Sequence, residues 1–99
     1  MSYFHFMKTF KWNAEKNEKL AAERGITFEE IVQKIASGAT VIETEHPNQK
    51  KYPRQKIMIV DVEGYAYLVP YVLEKDEYFL KKIIPSRKAT KKYLGGKNG

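Results

Sequence analysis

The chain has no cysteine. That excludes a disulfide scaffold, an iron–sulfur centre and any cysteine-based zinc site, and it fits a reducing cytoplasm. No apolar run reaches the roughly 18–20 residues that span a bilayer, so no membrane partner is expected. No glycine-rich phosphate loop is present, and Gly95-Gly96 sits in what reads as a tail. The two histidines, His5 and His46, do not have the spacing of a ligand pair. Neither a metal nor any other cofactor is therefore expected. The most informative absence concerns one sign of charge. All twelve acidic side chains lie in the first eighty residues, whereas Lys81, Lys82, Arg87, Lys88, Lys91, Lys92 and Lys97 crowd the last nineteen. The net charge of +6 is thus a local field at one end. Such a field attracts a polyanion by neutralising phosphates and releasing their counterions, which makes nucleic acid the first expected partner class.

The 99 residues suit one domain, read as 1–94 with a flexible tail at 95–99. An apolar share of 42% supports a modest core, so wholesale disorder is not expected. The opening MSYFHFMKTFKW lacks the successive regions of a signal peptide. It reads as a strand over Tyr3 to Trp12 with its rings on one face, and His5 is taken as structural. Asn13 is a helix N-cap for AEKNEKLAAER, with Gly25 past its end. Thr27 and Glu30 form a capping box ahead of Phe28, Ile31, Val32, Ile35 and Ala36, a single apolar stripe that Gly38 ends.

From Ala39 the pattern turns to strands. Thr40 to Thr44 is β-rich, and His46 to Gln49 breaks it. Ile57 to Val62 and Tyr65 to Leu73, joined by Glu63-Gly64, read as a hairpin. Glu74 to Glu77 makes the next reversal, and Tyr78 to Ile84 the last strand. Pro70 removes a ladder donor, so a bulge or an unpaired backbone position is expected there. Pro85 stops the last strand, and Ser86 caps a short basic helix through Leu94. The expected class is α+β: two N-terminal helices packed on an antiparallel sheet, with a short C-terminal basic helix. The helices are expected to cover one sheet face and leave the other, or the end where Arg87 emerges, for a ligand.

Four stretches, taken together, carry a resemblance. They are F-K-W-N-A-E-K-N at Phe10 to Asn17, R-G-I-T-F-E-E at Arg24 to Glu30, His46, and K-I-I-P-S-R-K-A-T at Lys82 to Thr90. In order and spacing they resemble the BrnT family, ribonuclease toxins of type II toxin–antitoxin systems with a RelE-like fold. The resemblance implies a metal-independent endoribonuclease that cleaves RNA, free or ribosome-associated, and inhibits translation. It also implies a cognate antitoxin protein as partner. By position it implies Lys82, Arg87, His46 and Tyr71 as site residues. The chain departs from the family at Arg24, where a histidine is common, and at Glu74, where many members carry an arginine. The alternative is a non-catalytic basic module that binds nucleic acid or a protein on a toxin-like scaffold.

Metal-free RNA cleavage uses the 2′-hydroxyl of RNA as nucleophile on the adjacent phosphorus. Positioned cations stabilise the charge that builds there. Arg87 suits this because its fork contacts two phosphate oxygens, and Lys82 supplies a second charge. His46 trades protons near neutral pH, although a lone histidine beside Pro47 also suits an ordinary loop. Tyr71 either orients the phosphate or packs in the core with its hydroxyl satisfied. Lys81, Lys88, Lys91, Lys92 and Arg54 are the expected RNA-backbone contacts.

Overall fold

A computed structural model of the chain describes residues 9–39 and 41–95. Strand β1 (Thr9–Trp12) leads into helix α1 (Ala14–Arg24) and then helix α2 (Phe28–Ala36). Four strands follow: β2 (Val41–Glu45), β3 (Gln55–Val62), β4 (Tyr65–Glu74) and β5 (Glu77–Leu80). A two-residue strand β6 (Ile84–Pro85) precedes helix α3 (Arg87–Ala89), which continues as a π-helical turn over Thr90–Leu94. Of the expected opening strand, Thr9 to Trp12 is observed; Tyr3 to Lys8, with His5, lies outside the described residues.

The local signals explain the helices. Asn13 accepts the Lys16 N–H at 2.9 Å, and Gly25, at φ +69°, closes α1 with an N–H to the Ala21 carbonyl. Thr27 and Glu30 satisfy each other's backbone N–H at the start of α2, each at 3.2 Å. The stripe of α2 buries Phe28, Ile31 and Ile35 completely.

The chain is α+β, and its sheet is mixed rather than purely antiparallel. Strand order is β1-β5-β4-β3-β2, with β6 also paired to β4. β1 runs parallel to β5, aligning Trp12 with Leu80. Both hairpins are antiparallel without a skipped residue. Glu63 and Gly64 turn the first with positive φ of 56° and 86°, the pattern of a tight primed turn.

Pro70 decides how the sheet continues. β4 pairs with β5 from Tyr71 to Glu74 and with β6 at Tyr67 and Leu68. Between these patches the Lys81 N–H reaches the Pro70 carbonyl at 2.8 Å. A strand residue directs N and C=O to the same side, so the missing Pro70 donor faces this gap. The expected continuous strand from Tyr78 to Ile84 is therefore interrupted: Lys81 to Ile83 leave the ladder, and Ile84–Pro85 rejoin it. The unpaired position is present and the bulge is not.

Two clusters of buried side chains fix the layers. On one face, α2 packs Phe28, Ile31 and Ile35 against Met58, Val60, Val69, Tyr71 and Leu80. On the other, Ala89 packs with Ile57, Ile59 and Ala66, beside Tyr93 and Leu94. The second face is thus partly covered by the C-terminal helix, and not left open as expected. Ala89 is small, which lets the helix approach the sheet closely. Tyr93 and Leu94 follow it by four and five residues, a spacing that a wide π turn brings to one side.

Candidate functional site

The structure separates the residues of the two terminal motifs into those that build the fold and those that do not. In the opening motif, Trp12 stacks on Phe28 with ring centroids 5.8 Å apart, and Asn13 caps α1. Asn17 accepts the Phe28 N–H at 2.7 Å and donates to Glu29 Oε1 at 2.7 Å. That amide bond is the main cause of a Glu29 pKa below the usual carboxylate value. In the closing motif, Ser86 accepts the Ala89 N–H at 3.0 Å. Thr90 Oγ1 accepts the Ala66 N–H at 2.8 Å and donates to the Ser86 carbonyl at 2.7 Å. Packing and hydrogen bonds account for these residues. They leave Lys16, Lys82, Arg87 and Lys88 with exposed cationic side chains.

Two of those four meet. Helix α1 runs beside the stretch from Lys81 to Ile84 that has left the ladder, and between them lies a cleft of about 270 Å³. From α1 come Lys16, Lys19, Leu20, Glu23 and Arg24; facing them are Lys81, Lys82, Ile83 and Ile84. On α1 these positions recur at i, i+3, i+4, i+7 and i+8, which is one helix face. The Lys16 ammonium lies 3.3 Å from the Lys81 carbonyl and ties the two walls together. Among the described residues, Lys19, Arg24 and Lys82 form no ion pair. Five cationic residues and one carboxylate thus line the cleft together with three aliphatic side chains, an arrangement suited to holding an anion.

The other expected site residues stand elsewhere. Arg87 lies five residues beyond Lys82, exposed at the start of α3, and Lys88, Lys91 and Lys92 are exposed on the same helix. Lys81 also places its ammonium 4.7 Å from the Phe79 ring centre. His46 follows β2 at the far edge of the sheet. β3 and β4 lie between it and the Lys82 segment, roughly 14 Å at a strand spacing near 4.8 Å. Its Nδ1 accepts the Asn48 N–H at 3.0 Å and its ring rests 4.5 Å from the Tyr52 ring. His46 thus helps to order its own loop.

Tyr71 is 1% exposed and belongs to the α2-side core, whereas α3 and Arg87 belong to the opposite layer. Burial is the largest cause of its raised phenol pKa, reinforced by the neighbouring Glu43 carboxylate. Tyr78, in edge-to-face contact with Tyr71 at 5.1 Å, is raised for the same two reasons. A phenol that holds its proton this firmly is a poor acid for catalysis. Tyr71 is a core residue. Arg54 lines a wider, shallower depression at the β4–β5 turn with Lys75, Glu74, Asp76 and Glu77. Three carboxylates against two cations make that surface unfavourable for a polyanion. The four expected catalytic residues do not share one hollow.

No protein-family model, no curated protein and no solved structure matches the chain. The resemblance to the BrnT toxins therefore stands on the quoted residues, and the cleft stands on geometry alone. Among the described residues no cluster of His, Cys, Asp or Glu could hold a metal ion, and no helix is long and apolar enough to cross a membrane.

Sequence reasoning missed Lys16, Lys19, Glu23 and Arg24 as site residues. Their one-sided spacing on α1 was the available signal. Their partner wall, Lys81 to Ile84, is distant in sequence and becomes adjacent only through the parallel pairing of β1 with β5.

Proposed function

We propose that this chain is an RNA-cleaving toxin of the BrnT type, with a RelE-like arrangement, that acts in the cytoplasm and is neutralised by a cognate antitoxin. The observation that carries the reading is the meeting of the two terminal motifs at one cationic cleft, with Lys16 of the first on the carbonyl of Lys81, which borders the second. Arg87, Lys88, Lys91 and Lys92 lie on α3, which packs on the other sheet face, and neutralise a flanking stretch of the RNA strand; Arg87 follows Ile84 of the cleft wall by three residues. Lys16, Arg24 and Lys82 then hold a phosphodiester. Their charge opposes the negative charge that accumulates on phosphorus as the 2′-oxygen attacks, without metal assistance.

The test is cleavage of single-stranded RNA and of ribosome-bound messenger RNA by purified protein in EDTA. Wild type cuts at least one of the two. Arg87→Ala and Lys82→Ala each slow cutting by about 10²-fold, the scale for removing one charge-stabilising group, while the thermal midpoint stays unchanged. RNA left intact by wild type in both formats overturns the reading.

A second reading, a non-catalytic basic module, is favoured by one observation: neither the imidazole of His46 nor the buried phenol of Tyr71 lines the cationic cleft. It gives salt-sensitive RNA binding with no cleavage in the same assay.

A further inference from the structure

We infer that Glu23 is the proton acceptor for the attacking 2′-hydroxyl in the cleft between α1 and the Lys81–Ile84 segment. The inference rests on the RNA-cleaving reading above. Cations stabilise a phosphorane-like charge, but they do not remove the proton from the nucleophile. His46 lies beyond two intervening strands at the far sheet edge, and Tyr71, although in the same core cluster as Leu20 and Ile83, is buried and does not open into the cleft. Within the cleft, Glu23 is the one acidic side chain in the lining.

Its surroundings support the role. Lys16, Lys19 and Arg24 share its helix face, and Lys82 lines the other wall. A counter-ion kept to neutralise these cations would sit within ion-pair distance of one of them. Among the described residues Glu23 forms no ion pair and no hydrogen bond through its side chain. Several carboxylates elsewhere are engaged, Glu77 with Lys11 at 3.1 Å, Glu63 with Lys34 at 3.0 Å and Glu30 in the capping box; what distinguishes Glu23 among the unpaired ones is its place in the cationic cleft. Glu23 is exposed and ready for an incoming group. Lys19 lies one helical turn away, roughly 6 Å along the axis, and Lys16, Arg24 and Lys82 line the same cleft, so a phosphate held there lies beside this carboxylate. The cleft volume is near the lower end of small-molecule sites, roughly 300 Å³, which admits one nucleotide unit of a single strand.

The step balances as follows. The 2′-oxygen forms a bond to phosphorus and gives its proton to the Glu23 carboxylate. The bond from phosphorus to the 5′-oxygen breaks, and that oxygen takes a proton from water. The products are a 2′,3′-cyclic phosphate and a 5′-hydroxyl, and Glu23 returns its proton to solvent.

Glu23→Gln keeps the shape and removes the basicity. Single-turnover cleavage in EDTA is compared across pH for wild type, Glu23→Gln and Glu18→Gln, an exposed α1 control outside the cleft. RNA affinity is measured on the all-2′-deoxy analogue of the substrate. The expected result for Glu23→Gln is a rate about 10²-fold lower or more, loss of the acid limb of the pH–rate profile, and unchanged or tighter binding of the analogue. Glu18→Gln matches wild type. Cleavage by Glu23→Gln at the wild-type rate overturns the inference and leaves the ribonuclease reading intact. Loss of binding in parallel with rate also overturns it, because that marks Glu23 as a residue that shapes the cleft. An inactive wild type removes the ribonuclease reading itself and this inference with it.

Discussion

The side-chain ammonium of Lys16 lies 3.3 Å from the backbone carbonyl of Lys81, joining residues 65 positions apart. Lys16 belongs to the opening motif and Lys81 borders the closing one. The contact exists because the parallel pairing of β1 with β5 ends at Trp12 and Leu80. Both chains leave the sheet there, one to form α1 and the other to form the interrupted stretch before β6. Two segments that leave a sheet side by side make a cleft, and in this chain both walls carry lysine.

Lys16→Met retains the aliphatic stem and removes the charge. The site is exposed, so folding stability should change by no more than about 0.5 kcal/mol. Affinity for single-stranded RNA should fall several-fold, and the slope of log affinity against log salt should become shallower by roughly 0.7 for the lost phosphate contact. Fluorescence anisotropy over a salt series, paired with a thermal melt, reads both quantities. An unchanged slope would mean that Lys16 serves the fold alone.

Much of the architecture is legible in local residue patterns. Asn13 and Gly25 bound α1, Thr27 and Glu30 open α2, and Glu63-Gly64 turns the long hairpin; each acts within a few residues of itself. Pro70 announced an unpaired position because a missing donor is a local fact. The remainder depends on partners distant in the chain. Nothing in Thr9 to Trp12 specifies that its neighbour is β5, or that the two run parallel. The burial of Ala89 against Ile57 and Ala66 likewise requires the helix to turn back over the sheet, and no periodicity within eight residues encodes that. His46 and Tyr71 illustrate the same limit in the site. Their chemistry suggested a shared hollow with Arg87, but β3 and β4 set His46 aside and the sheet itself stands between Tyr71 and α3. The cationic face of α1 was visible as spacing, yet its significance depends on what lies opposite.

Tyr71→Phe separates a core role from a catalytic one. The phenol is buried beside the Glu43 carboxylate, so removing the hydroxyl should cost about 1 kcal/mol of stability and leave RNA cleavage at the wild-type rate. The pH dependence follows from the sign of the shift. The folded-state pKa lies above the ordinary value of 10.0. The unfolded chain therefore loses its proton first as pH rises, and the stabilisation, complete below pH 10, declines above it until the folded phenol also ionises. Wild type should weaken in alkali beyond pH 10 more steeply than Tyr71→Phe does. Urea midpoints collected from pH 8 upward test this, and parallel curves for the two proteins would contradict it. Tyr78, raised by the same causes, adds a second, smaller alkaline dependence that persists in the variant.

Thr90 shows why a motif can be specific without being catalytic. Its hydroxyl takes the N–H of Ala66 and donates to the Ser86 carbonyl, while the Ser86 N–H reaches the Ala66 carbonyl at 3.0 Å. Beyond Pro85 the ladder has no further strand to offer β4 on this side, and Thr90 supplies the partner that Ala66 would otherwise lack. Ala66 is fully buried, so an unpaired N–H there cannot turn to water. Thr90→Val preserves the branched shape and deletes both bonds, and should cost about 1–3 kcal/mol, the penalty for orphaning a buried donor. Thr90→Ser restores the hydroxyl and should recover most of that loss. Because α3 carries Arg87, loosening this clamp should also weaken RNA binding in proportion to the fraction of molecules in which the helix detaches. Protection of the Ala66 amide in hydrogen exchange reports the clamp directly: it should drop in Thr90→Val and return in Thr90→Ser. Equal protection in all three proteins would show that the sheet holds this amide without the threonine.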